Sequence, residues 1–231
     1  MACGPSYRVL VSSSSRSRLA ALAVTAGLLL AGCGGAATEG TPSAEGHDHS
    51  GGAPAVVEGP EDRYAGLDLP DPYQRPSFTL TGPDGQPYDF GTETAGSPTL
   101  LFFGYTNCPD VCPTTMADVA VALRGVDPAL AEQVKVVFVT TDPASDTPEV
   151  LAEYLRRFDA DLPTRFIGLT GDQAAIDRAQ LAAGVPLAED AGRLHSSLLL
   201  LYGPDDLAHV AFDAGNTSRD IAGDLGLVAG S

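Results

Sequence analysis

The sequence predicts an α/β domain with a central mixed sheet flanked by helices, and three features carry that prediction. Between residues 99 and 183, short apolar runs alternate with segments of helical periodicity, the pattern of right-handed βαβ units with parallel strands. Nearer the C-terminus, two apolar runs are joined by Gly203-Pro204-Asp205-Asp206, a turn signal that adds an antiparallel hairpin at the sheet edge. About 160 residues follow a core-poor N-terminal region, which is enough for one domain with a sizeable core.

The elements follow in order. Phe78-Thr79-Leu80 and Tyr88-Asp89-Phe90 flank Gly82-Pro83-Asp84-Gly85, giving an N-terminal hairpin. Thr99 to Phe103 is an apolar run of the kind that makes a strand covered on both faces. Pro113 suits the first position of a helix that runs to Arg124, with Met116, Val119, Ala120 and Leu123 on its apolar face. A second buried strand spans Val134 to Val139, followed by a helix from about Pro148 to Phe158. A third strand covers Phe166 to Leu169, and a helix runs from about Asp172 to Ala183. The hairpin strands are Ser197 to Tyr202 and Leu207 to Phe212, and a helix from about Ser218 to Val228 closes the domain.

Residues 1–32 read as a processing signal. Arg8, Arg16 and Arg18 form an acid-free basic region, and Leu19 to Ala31 is an apolar stretch shorter than the roughly 20 residues that span a bilayer. Leu30-Ala31-Gly32-Cys33 resembles the lipobox of bacterial lipoproteins, in which the cysteine becomes the lipid-modified first residue of the mature chain. The expected location is the cell envelope, with the lipid on Cys33 anchoring the chain to the extracytoplasmic face of the bacterial cytoplasmic membrane. Residues 33–72 are rich in Gly, Ala, Pro, Ser, Thr and acidic residues and read as a flexible tether, leaving 73–231 as the folded domain. His47 and His49 in the tether either capture a metal weakly or are simply two solvated histidines.

The chain carries 13 Lys and Arg against 30 Asp and Glu, a formal charge of −17. Losing the three arginines of the signal takes the mature chain to −20. Such a surface repels phosphate backbones, so nucleic acid is excluded as a partner. Nothing in the sequence demands more than a monomer.

The chemistry concentrates in Gly104-Tyr105-Thr106-Asn107-Cys108-Pro109-Asp110-Val111-Cys112-Pro113, between the first buried strand and its helix. Cys3 goes with the signal and Cys33 is consumed by lipid, so Cys108 and Cys112 are the remaining thiols. They can close a disulfide or hold one soft metal ion, or they can be a static staple. An extracytoplasmic compartment favours the disulfide unless a reductant or metal intervenes. Cys112 is expected at the helix cap, where the dipole lowers a thiol pKa. A reactive pair at the strand-to-helix junction of such a sheet is a thioredoxin-like arrangement.

Three blocks carry a more specific resemblance. Thr106-Asn107-Cys108-Pro109-Asp110-Val111-Cys112-Pro113 resembles the signature of the Sco (SenC) family of copper chaperones, whereas thioredoxins have two residues between their cysteines. Val139-Thr140-Thr141-Asp142-Pro143 with Asp146-Thr147-Pro148-Glu149 resembles its second block, and Leu194-His195-Ser196-Ser197 its third. The resemblance implies copper, as Cu(I) or Cu(II), held by Cys108, Cys112 and His195. It also implies delivery to the binuclear site in subunit II of cytochrome c oxidase, with a thiol reductant as a further partner. Asp142 is a candidate to orient a ligand, or else caps the following turn. His209 has no motif around it and reads as structural or surface. The family often has an arginine in the second block and an acidic residue before the histidine, where this chain has Ser145 and Leu194.

Two function classes are expected. One is a metallochaperone, which is not an enzyme in the turnover sense. The other is a thiol–disulfide oxidoreductase in which Cys108 attacks a partner disulfide and Cys112 resolves it, with the copper-site cysteines of the same oxidase as a candidate substrate. A peroxiredoxin-like peroxidase is a third option on the same kind of fold.

Overall fold

The computed structural model describes residues 63–190 and 192–230. The signal, Cys33, His47, His49 and most of the tether lie outside the described residues. A six-stranded sheet runs in the order β1 (Leu67–Gln74), β8 (Leu207–Phe212), β7 (Leu199–Tyr202), β4 (Thr99–Gly104), β5 (Lys135–Thr140) and β6 (Phe166–Leu169). β4, β5 and β6 pair in parallel, and β1, β8, β7 and β4 pair antiparallel, so the sheet is mixed as expected. The N-terminal hairpin forms as β2 (Thr79–Thr81) and β3 (Pro87–Asp89), a separate two-stranded sheet.

β4 is buried along its whole length, and its side chains alternate between two cores. Leu100 and Phe102 join Val136, Phe138, Leu199 and Leu201 beneath α2 (Val111–Gly125), α4 (Pro148–Asp159) and α6 (Ser218–Ala229). Leu101 and Phe103 face the other way. There they pack with Val137, Val139 and Tyr202 against Phe78, Leu80 and Phe90 and against Ile176 and Ala179 of α5 (Gln173–Ala182). Two short helices, α1 (Phe90–Thr94) and α3 (Pro128–Gln133), complete the chain. The central strand is therefore packed on both faces up to its C-terminal end, where the cysteine loop begins.

One boundary differs from the sequence reading. Residues 67–72, assigned to the tether, belong to β1, which pairs with β8 and covers the edge that the C-terminal hairpin was expected to form. Pro70 and Pro72 and a register shift between Asp68 and Tyr73 are tolerated because an edge strand needs partners on one side only. Both ends of β1 are fixed by buried polar groups. The Asp224 carboxylate accepts from Ala65 N (3.0 Å) and Gly66 N (2.9 Å). Just past the other end, the Arg75 guanidinium donates to Asp206, Thr94, Thr99, and the carbonyls of Ser97 and Gly203.

Candidate metal centre

The cysteine loop leaves β4 at Gly104, a position that only glycine fits. A Cβ there would lie 2.8 Å from Cys112 Sγ and 2.7 Å from the Phe102 ring. The helix begins earlier than Pro113, at Val111, so Cys112 lies inside the first turn rather than at the cap. Pro113 still sits in that first turn, where amide N–H groups have no intrahelical acceptor. The cap residue, Asp110, makes no side-chain capping bond.

The capping is instead done by sulfur. Cys112 N donates to Cys108 Sγ across 3.4 Å, and the amides of Asp110 and Val111 are directed at the same atom. Partial burial raises the Cys108 pKa, but these amides and the Cys112 thiol outweigh it and hold the thiol below its ordinary range. Cys112 is fully buried, and burial first, then the neighbouring Cys108 sulfur, pushes its pKa well up. The expectation for Cys112 is thus corrected. The helix terminus stabilises the thiolate of Cys108, because the first turn turns its amides toward the residue four positions upstream. Both cysteines are free thiols.

His195 comes from the loop that precedes β7. Its Nδ1 lies 2.8 Å from the Ser196 carbonyl, to which it donates, and this turns Nε2 toward Cys112 Sγ, 3.5 Å away. Phe102 and Tyr105 hold the ring edge-on at centroid distances of 6.0 and 5.7 Å. The loop is docked through Gly192, whose φ of +85° and close approach to Thr141 O exclude any side chain. Thr141 Oγ1 also donates to Gly192 O at 2.8 Å.

The three predicted ligands therefore converge. The sulfurs of Cys108 and Cys112 and a ring nitrogen of His195 all lie within 4.8 Å of one another, the one such cluster among the described residues. Donors bound to a single ion at about 2.0–2.3 Å lie at most about 4.6 Å apart, so a slight contraction would close the site. Soft sulfur with one imidazole suits Cu(I) or another soft metal. A shallow pocket of about 250 Å³, lined by Tyr105, Pro109, Arg193 and Leu194 among others, opens onto Cys108 and His195.

Asp142 does not touch these three side chains; its charge acts on Arg193. The buried carboxylate that ties the loops together is Asp146, which sequence reasoning passed over. Asp146 accepts from Thr106 N (3.0 Å), Thr106 Oγ1 (2.5 Å) and Thr140 Oγ1 (2.6 Å). Tyr154 of α4 was also missed, because a tyrosine on an apolar helix face reads as core. Its hydroxyl is buried without a hydrogen-bond partner, and burial, followed by the charges of Cys112 and Cys108, raises its pKa. His209 is remote from the centre, paired with Asp205 at 2.8 Å.

Known proteins resemble this chain in sequence and fold. The chain is 38% identical over 157 residues to a protein of Stutzerimonas stutzeri whose name refers to copper binding, covering 62% of this chain and 74% of that one. It spans about half the length of the fission yeast and mouse Sco1 relatives that it matches. Among solved structures, ScoI of Bradyrhizobium japonicum with copper bound is 32% identical, with a TM-score of 0.55 over 66% of this chain and 97% of that one. BsSco, described as a member of the Sco family of cytochrome c oxidase assembly proteins, is 26% identical, with a TM-score of 0.52 over 70% and 96%. The fold is thus the thioredoxin-like one expected. The SCO1/SenC family model matches residues 69–229, a span that holds all three converging side chains and the sheet that positions them, and the chain belongs to that family.

Proposed function

We propose that this chain is a membrane-anchored, extracytoplasmic metallochaperone that binds copper through Cys108, Cys112 and His195 and delivers it to the binuclear site of cytochrome c oxidase subunit II. The observation that carries the reading is the convergence of two thiols and an imidazole nitrogen within 4.8 Å. A closed structural zinc site needs a fourth protein ligand. Cys108 and His195 line a pocket, with Cys112 buried behind them, which leaves a position through which a recipient's ligand can enter. The relative with copper bound supports the choice of metal, and the oxidase-assembly description of BsSco supports the recipient.

The site's own residues divide the work. Cys108 supplies a thiolate already stabilised by helix amides, whereas Cys112 must release its proton as the metal arrives. His195 would bind through Nε2, since Nδ1 is engaged with the Ser196 carbonyl. The lipid on Cys33 and the tether would keep this centre near the membrane-embedded oxidase, and a thiol reductant would keep the pair open.

Copper titration of the reduced full chain tests the reading. One tightly held copper per chain is expected, with a sulfur-to-copper charge-transfer band in the Cu(II) form. Both should be lost in Cys108→Ser and in His195→Ala. Tight binding retained by His195→Ala would overturn the ligand assignment.

The asymmetry of the pair favours thiol–disulfide exchange as a second reading. Cys108 is the more accessible and the more acidic thiol, and Cys112 lies protonated behind it, the polarity of an attacking and a resolving cysteine. Absence of stable copper together with a readily reducible Cys108–Cys112 disulfide would favour this activity.

A further inference from the structure

A groove of about 180 Å³ lies beside the metal pocket, between the start of α2 and the end of β8. The two depressions share Asp110, Val111 and Ser197, so they adjoin on one face of the domain. The floor of the groove is apolar, made by Val111, Leu199, Phe212 and Ile221. Its rim carries three carboxylates, Asp110, Asp118 and Asp213, and among the described residues no lysine or arginine lines it. Asp110 is not used to cap its helix, which leaves its charge for a partner.

Its size argues against a free organic ligand, whose pockets are typically about 300–1,000 Å³. An apolar floor inside an acidic rim matches an apolar side chain flanked by basic ones. From this geometry we infer that the groove receives a basic segment of the copper recipient, an apolar anchor in the floor with Lys or Arg against the three aspartates. Seated there, the segment would bring the recipient's metal-binding residues over Cys108 and His195. This inference rests on the chaperone reading, since it assumes that the protein meeting this face takes up copper.

The test uses the copper-loaded full chain in detergent and the soluble copper domain of cytochrome c oxidase subunit II. Transfer is followed spectroscopically at low and high salt, for the unaltered chain and for the double variant Asp118→Lys, Asp213→Lys. Neither residue is a metal ligand, so copper stoichiometry and affinity should be unchanged, which also verifies folding. At low salt the variant should transfer copper at least about tenfold more slowly, and its rate should lose most of its salt dependence. Transfer at the original rate would overturn the groove while leaving the chaperone reading standing. No transfer by the unaltered chain would overturn the recipient and, with it, the occupant assigned here. Slower reduction of the disulfide by a thiol reductant with unchanged copper transfer would reassign the groove to the reductant and overturn the inference.

Discussion

Replacing Asp146 by alanine tests whether the copper centre is held together by a carboxylate that touches no metal. The side chain is fully buried and receives three hydrogen bonds from two loops, the cysteine loop at Thr106 and the end of β5 at Thr140. Removing it leaves an amide and two hydroxyls without their acceptor, at roughly 1–3 kcal/mol each if they stay dry. Relief of the charge's own burial, and water entering the gap, offset part of this. A net loss of about 3 kcal/mol follows, a large share of the roughly 5–15 kcal/mol that holds a domain folded. Asp146→Asn keeps the shape, and one oxygen can still accept from Thr106 N and Thr140, so its cost should be about 1–2 kcal/mol. Chemical denaturation of the reduced, metal-free protein measures these losses. Thr106 lies two residues before Cys108, so copper affinity should fall in the same order, Asp146→Ala below Asp146→Asn. Asp142→Ala, which disturbs no contact with the three ligands, should change stability by less than about 0.5 kcal/mol. An Asp146→Ala protein with unaltered midpoint and copper affinity would refute the reasoning.

Two further outcomes follow from the same geometry. Gly192→Ala places a Cβ 2.1 Å from Thr141 O at a φ of +85°, so the His195 loop must leave its seat. Copper affinity should drop toward that of His195→Ala while both thiols remain titratable, and wild-type affinity would show that this docking is dispensable. The reduced, metal-free protein should also show opposed pH dependences. The lowered Cys108 pKa contributes stability that is present above the unfolded thiol value of about 8.5 and lost as pH falls through the folded value. The raised Cys112 pKa contributes stability present below about 8.5 and lost as pH rises beyond it. Denaturation midpoints should therefore climb to about pH 8.5 and then decline. Cys108→Ser should abolish the climb and Cys112→Ser the decline, and unchanged profiles in both variants would contradict the assignment.

The β4, β5 and β6 strands with their helices were legible because each strand is a continuous apolar run punctuated by proline or glycine. The ligands were legible because they sit in distinctive blocks. β1 was not, since Leu67–Gln74 has two prolines and mostly exposed side chains, and its pairing with β8 depends on residues far along the chain. Likewise, the spacing of Cys108 and Cys112 shows that they are neighbours but not which one receives the helix amides. That depends on where the first turn begins, and it began two residues before the proline that marked it. Asp142 and Asp146 look alike in sequence, and only the packing of the loop decides which is buried. Gly192 is one glycine among 26, and its importance appears only where it meets the backbone of Thr141.

The way β1 enters the sheet joins the start of the domain to the end that carries the metal ligands. Leu67 pairs with Ala211, next to Phe212, which pairs with Leu199, which in turn lies opposite Phe102 at the cysteine-loop end of β4. Ala65 accepts from Asn216, a residue that lines the acidic groove. Ala65 and Gly66 thus join the domain at the metal-bearing end of the sheet, clamped there by Asp224. A force applied through Leu67 would load that clamp and the β1–β8 pairing first, and would reach Leu199, Phe102 and the cysteine loop only after those had yielded.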